Sequence, residues 1–330
     1  MPKETIPPKQ KKQLRPYNRR NPPSSKTNNY FYPLITKQPL TSKTSKTMNM
    51  LTDKQLQRYN RQLILEDFGP SAQRKLLNSK VLVIGAGGLG SPALLYLASA
   101  GVGTIGIAEF DTVDISNLQR QILYEEQNIG SPKNISASNR LRNLNSDVEI
   151  VVHDLKVGCE NILQTIEGYS FVIDATDTTG KKLMINDACV LSKIPLSHGG
   201  VLQLSGQNMT VLPGQSCCLR CAFPSLEPQA EQSCSQAGIL GAVAGIIGSI
   251  QALEAVKQIT GTGVCLVDAV QFFDAETMRF QKVRIKKSPE CPVCGKKTDY
   301  KVPLIIKLSS IVIVNTQKIE VKIVNTLFDM

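Results

Sequence analysis

Apolar runs of four or five residues recur at 81–84, 104–108, 148–152 and 170–174, each the length of a buried strand. Helix-length segments separate them. That alternation predicts a doubly wound, mainly parallel α/β sheet. Ahead of it, Thr52 and Gln55 have capping-box spacing, which predicts a helix with Leu56, Tyr59, Leu63 and Ile64 on one face. After Pro195 the texture changes. Short strand-like segments at 198–203, 207–212, 264–268 and 279–285 predict mixed or antiparallel strands around one long helix beginning near Gly238. That helix is expected in the core or at a subunit interface. The longest apolar stretch, 237–250, is interrupted by Gly238, Gly241, Gly245 and Gly248 and then meets Gln251 and Glu254. It reads as a buried helix, too short for a bilayer span. No internal repeat appears, and the strand-like run 304–314 suggests no role.

Charge changes little once it is located. Of the net +11, residues 1–50 contribute +10, with 11 Lys and Arg against the single acid Glu4. The rest of the chain is nearly neutral, which argues against a phosphate-backbone surface and so against nucleic acid as partner. The first 50 residues, rich in Pro, Lys, Ser, Thr and Asn, read as a disordered basic leader that cannot bury enough apolar surface to offset its ordering entropy. They fit either a transit peptide or a dispensable leader before a start at Met48 or Met50. Nine cysteines with no secretory apolar segment suggest a soluble protein of a reducing compartment, cytoplasm or plastid stroma. No membrane association is expected.

The chemistry starts at Gly85-Ala86-Gly87-Gly88-Leu89-Gly90, between the first apolar run and a helix-like stretch from Ser91 to Ala100. In a Rossmann-like sheet Gly85 allows the tight turn, Gly87 the approach of phosphates, and Gly90 close packing of helix on strand. Glu109 and Asp111 follow the second strand, where a carboxylate binds ribose. Lys133, just before a helix, is placed to bind phosphate. Asp177, read as the end of the fourth strand at the sheet's carboxyl edge, suits Mg²⁺ carried by substrate phosphates. Arg120 separates nucleotidyl transfer from hydride transfer, because attack on the α-phosphate of ATP needs cations there. His153 and His198 have no triad-like partners and read as structural or surface residues.

Cys218-Leu219-Arg220-Cys221 and Cys291-Pro292-Val293-Cys294-Gly295 are two CxxC knuckles. Four thiolates make a closed, structural zinc site that would staple two distant segments together. Cys217 is adjacent but off the spacing.

Together these residues resemble the MoeB/ThiF/HesA family, bacterial-type relatives of ubiquitin-activating enzymes. The likeness runs from about Leu51 to Gly295. It includes Arg58-Tyr59-Asn60-Arg61-Gln62, the glycine loop, Asp111-Thr112-Val113, Ser116-Asn117-Leu118-Gln119-Arg120-Gln121, Pro132-Lys133, Thr176-Asp177, both knuckles and Cys234. Residues 51–295 would then be the adenylyltransferase domain, and 296–330 a tail of unknown role. The resemblance implies adenylation, with ATP and Mg²⁺, of the C-terminal glycine of a ubiquitin-like sulfur-carrier protein. It implies nucleotide contacts from Gly85, Gly87, Gly88, Gly90, Glu109, Asp111, Ser116, Asn117, Arg120, Lys133, Asp177 and Thr178. It further implies a homodimer in which Arg61 reaches the partner's nucleotide, and a loop cysteine, Cys234, able to act in later sulfur transfer. Two positions depart from the pattern: the ribose residue is Glu109 rather than Asp, and the usual Asp-Asn pair reads Asp177-Thr178. No rhodanese-like segment follows the second knuckle, so a separate sulfur donor is expected. The pattern is most similar to MoeB, which implies a MoaD-like carrier in molybdopterin synthesis; a ThiS-like carrier in thiamine synthesis is the nearest alternative. An NAD-dependent oxidoreductase would leave Arg120, Lys133 and the knuckles without work, and a noncatalytic zinc-stapled binding module would leave the cationic set idle.

Overall fold

The computed structural model describes residues 51–224 and 238–296, with the backbone of 306–307 and 310–311. Cys234, the leader and nearly all of the tail lie outside the described residues. In chain order the elements are α1 (Asp53–Arg58), α2 (Asn60–Leu63), α3 (Gly69–Leu77), β1 (Lys80–Ile84), α4 (Gly90–Ala100), β2 (Thr104–Ala108), α5 (Lys133–Leu144), β3 (Glu149–His153), α6 (Ile162–Ile166), β4 (Phe171–Asp174), α7 (Thr179–Leu191), β5 (Leu196–Leu202), β6 (Ser205–Val211), α8 (Leu219–Ala222), α9 (Gly241–Thr260), β7 (Ala269–Asp274) and β8 (Arg279–Arg284). A two-residue pairing, Ile306–Lys307 with Ser310–Ile311, stands apart.

One eight-stranded sheet runs β3-β2-β1-β4-β5-β6-β7-β8. The first five strands are parallel and the last three pair antiparallel. The apolar runs behave as expected of strands covered on both faces: Val81–Ile84, Ile105–Ala108 and the whole of β4 are buried. Strand order reverses at β1, so β2 and β4 flank it, and the crevice at their carboxyl ends is where such sheets bind ligands.

Helix α9 is a core element. Val243, Ala244, Ile247, Ala252 and Ala255 are buried, and Gly248 lies so close to α4 that a Cβ there would sit 2.2 Å from the Leu89 carbonyl oxygen. Of the glycines that interrupt its apolar run, Gly248 and Gly241 thus serve close packing, whereas an added Cβ at Gly245 would meet nothing within 4 Å. Among the described residues no helix is long and apolar enough to cross a membrane.

Two expectations need correction. The helix opening at the Thr52/Gln55 capping box is real, but it breaks at Tyr59 into α1 and α2. Of the four residues assigned to its apolar face only Tyr59 is buried, its hydroxyl accepting from Asn145; Leu56 and Ile64 are exposed. The segment 264–268 is not a strand. Its Leu266 N–H is taken by the buried Glu254 side chain, and Asp268 adopts a left-handed φ of 51°. The strand begins at Ala269 instead.

Candidate functional site

Turn geometry builds the site first. Gly85 has φ +94°, and a Cβ on Gly90 would lie 2.0 Å from the Gly85 carbonyl oxygen, so the loop folds back on itself as only glycine permits. It delivers the chain into the first turn of α4, whose N-terminal amides have no partner within the helix, an arrangement suited to anions. Beside it lies a cavity of about 230 Å³. Its walls include Gly85, Gly87, Gly88, Glu109, Asp111, Arg120, Lys133 and Asp177, so eight of the residues singled out from sequence converge on one space.

Each is held by its own partners. Glu109 is buried; one carboxylate oxygen accepts from Ala86 N at 2.9 Å and the other from Phe110 N and Asp111 N at 2.8 and 3.0 Å. The side chain therefore ties the end of β2 to the glycine loop, and any ribose contact would be made by a carboxylate already fixed by three amides. Lys133 is the first residue of α5, and its buried ammonium lies 3.3 Å from the Asp111 carboxylate. Arg120 donates to the Ser116 carbonyl at 2.9 Å, and its stem lies over Gly88. Asp177 stands three residues beyond β4 rather than at its end; it is exposed and lies 3.9 Å from Lys181.

Other expected residues stand off the cavity. Gly90 is enclosed where α4 begins. Asn117 spends its side-chain oxygen on Asp114 N, and Ser116 its amide on the Asp114 carboxylate. Thr178 is the N-cap of α7. Arg61, on α2, is exposed and outside this chain's cavity wall.

Sequence reasoning missed part of the site. Gln121, buried beside Arg120, lines the cavity with a side-chain oxygen that has no partner among the described residues. Asp174, fully buried, collects Thr176 N and Oγ1 at 3.0 and 2.6 Å, Lys182 Nζ at 3.3 Å and His198 Nδ1 at 3.0 Å. Burial alone would raise its carboxyl, but the Lys182 ammonium and the donors from His198 and Thr176 outweigh that and bring it down to about 2. His198 is pushed below its ordinary value by burial and by Lys182, despite the pull of Asp174. His153 is lowered by burial and bonds Tyr169. Neither histidine lies in the cavity wall, and the partner of His198, Asp174, was not foreseen from sequence. The β4–β5 pairing that sets Asp174 against His198 is a tertiary fact with no local signal.

Across the sheet the two knuckles meet. Sγ atoms of Cys218, Cys221, Cys291 and Cys294 all lie within 4.8 Å of one another, with Cys218–Cys291 at 3.6 Å and Cys221–Cys294 at 3.3 Å. A tetrahedral tetrathiolate with metal–sulfur bonds of about 2.3 Å spaces its sulfurs by about 3.8 Å, so this cluster fits a metal ion. The Cys218 thiol, bonded by Cys294, is drawn down to about 6 while Cys294 is pushed up.

The ThiF family pattern matches residues 59–293. The chain is 43% identical over 250 residues to the adenylyltransferase and sulfurtransferase MOCS3 of Aedes aegypti, covering 75% of this chain and 57% of that one. It therefore spans little more than half the length of that relative. It is 40% identical over 243 residues to the SAMP-activating enzyme E1 of Haloferax volcanii, covering 73% of this chain and 90% of that enzyme. In fold it is similar to the crystal structure of E. coli MccB with MccA-N7isoASN, with a TM-score of 0.65, 21% identity, and coverage of 73% and 75% of the two chains. E. coli MccB with ATP gives 0.60 at 22% identity over 68% of each chain. At these identities the likeness to MccB is one of fold.

Proposed function

Because the chain belongs to the ThiF family, we propose that it is an adenylyltransferase that activates the C-terminal glycine of a ubiquitin-like sulfur-carrier protein with ATP. The observation that carries this reading is the convergence of the glycine loop, Glu109, Arg120, Lys133 and Asp177 on one cavity at the switch point of the sheet. The carrier's carboxylate oxygen bonds to the α-phosphorus, and the bond to the bridging oxygen breaks as pyrophosphate leaves. Two anions must meet in that step. Arg120 and Lys133 lower their repulsion and stabilise the charge that develops on the phosphoryl oxygens. The glycine-loop amides hold the phosphates, and Glu109 faces the ribose.

Asp177 would hold Mg²⁺, a cation commonly bound by one or two carboxylates plus substrate phosphates; it would neutralise the departing pyrophosphate. Zn²⁺ in the four-cysteine cluster would be structural, because four thiolates leave no open position. The motifs favour a MoaD-like carrier of molybdopterin synthesis over a ThiS-like one. A homodimer is supported by Arg61, which is exposed and stands outside its own cavity wall, and by the exposure of Leu56, Ile64 and Leu65 in the same segment.

The deciding experiment is ATP–pyrophosphate exchange with each purified carrier. Arg120→Ala and Lys133→Ala should each lower carrier-dependent exchange at least ~10²-fold, roughly 3 kcal/mol of transition-state stabilisation. Near wild-type rates in both variants would defeat the assignment.

A further inference from the structure

The cavity wall contains a charge that the proposed chemistry does not use. Lys182, on α7, lines the cavity together with Thr176, Val201 and Ile239, and its side chain is only 12% exposed. An ammonium has three N–H donors. One of them points to Asp174 Oδ2 at 3.3 Å and a second to the Gly199 carbonyl on β5 at 2.6 Å. Among the described residues the third has no acceptor. Asp174 does not need Lys182 for its hydrogen bonds, since Thr176 supplies two donors and His198 one. Lys182 is therefore a fixed cation with a spare donor at a ligand cavity.

Its place on the sheet indicates what it would meet. Glu109 follows β2, the glycine loop follows β1, and Lys182 with Gly199 and Val201 belongs to the β4–β5 side. A nucleotide with its ribose at Glu109 and its phosphates between the glycine loop and Asp177 leaves the β5 side for the attacking group. Val201 and Ile239 make that side apolar next to the cation, which suits a slender peptide end carrying one negative charge. We infer that Lys182 is a substrate-contacting residue that binds the terminal carboxylate of the acyl substrate and directs it toward the α-phosphate. This rests on the adenylyltransferase reading.

Removing Lys182 alone would strand a buried carboxylate and endanger folding. The test therefore uses the charge-neutral pair Asp174→Asn/Lys182→Met, with Asp174→Asn/Lys182→Gln, whose amide can still donate to the Gly199 carbonyl, as the second variant should the first not fold. Titration calorimetry would measure binding of ATP and of recombinant ubiquitin-like carriers ending in Gly-Gly, each with a free carboxylate or a C-terminal amide. ATP affinity should stay within about threefold of wild type. The amide should weaken carrier binding about tenfold or more in wild type, and less than about twofold in the variant. An equal amide penalty in wild type and variant would overturn the inference, as would a loss confined to ATP binding. Carrier-dependent pyrophosphate exchange by wild type, run in parallel, separates the two levels. Exchange with an equal amide penalty removes Lys182's role alone, whereas no exchange with either carrier removes the adenylation reading and this inference with it.

Discussion

Glycines 87 and 90 occupy the same loop for different physical reasons, and substitution separates them. A methyl at Gly90 would collide with the Gly85 carbonyl, whereas at Gly87 the nearest atom to a new Cβ is Gln121 Nε2 at 3.7 Å. Gly90→Ala should therefore fail to fold or melt far below wild type. Gly87→Ala should melt within a few degrees of wild type yet bind ATP at least tenfold more weakly, its methyl standing where the phosphates approach. Thermal melts and ATP titration check both, and a Gly87→Ala variant with unchanged affinity would place the phosphates elsewhere. This loop was legible because its chemistry is local: turn, strand and helix start are adjacent in sequence. Glu109, Arg120, Lys133 and Asp177 were legible as types at fixed distances from predicted strands. Lys182 and Gln121 were not, because a lysine inside a helix and a glutamine beside an arginine acquire meaning only when the sheet brings a cavity to them.

Elements were legible where burial is two-sided and least so where tertiary contacts replace a ladder. The four parallel runs fall within a residue of their predicted positions, since continuous apolar sequence has few other uses. Residues 264–268 have strand-like composition, but the Glu254 carboxylate takes the Leu266 amide and the hydroxyl of Thr210, substituting for strand pairing. Packing between elements also yields a pH dependence. His198 of β5 and His153 of β3 both titrate below their ordinary value, so near pH 6 the unfolded chain binds protons that the folded chain does not. Stability is then full above the unfolded value of about 6.5 and falls as the pH drops below it. Urea midpoints should decline between pH 7.5 and 5.5, and the decline should be shallower in His153→Gln/His198→Gln. A slope unchanged by removing both histidines would assign the effect to other groups. The four-cysteine cluster joins α8 to the segment after β8, distant in sequence, and metal binding there would be coupled to folding. Elemental analysis should find one zinc per chain, and Cys291→Ser should lose zinc and melting temperature together. A stable, reduced preparation without zinc would refute this.

At the scale of the whole molecule, the site bears on how many chains it needs. The apolar residues that a lone helix should have buried, Leu56 and Ile64, stand exposed beside Leu65, with Tyr96 of α4 also exposed. Arg61, on α2 just before Ile64 and Leu65 in sequence, is exposed and is not part of this chain's cavity wall. If these exposed apolar side chains form a surface that a second copy covers, a two-fold partner would present its own Arg61 to a neighbour. If Arg61 completes the neighbour's nucleotide site, Arg61→Ala chains and Lys133→Ala chains should each be inactive as homodimers. A mixed dimer would then contain one site built from two intact halves and one from two defective halves. After subunit exchange, confirmed by mass spectrometry of differently tagged chains, activity should return to about a quarter of wild type. Half of a random mixture is heterodimer, and each heterodimer has one working site of two. No rescue in mixtures shown to exchange would place Arg61 in its own subunit's chemistry or outside it. Rescue beyond about half would mean that one of the variants was not inactive, so both homodimers must be assayed alone in the same series.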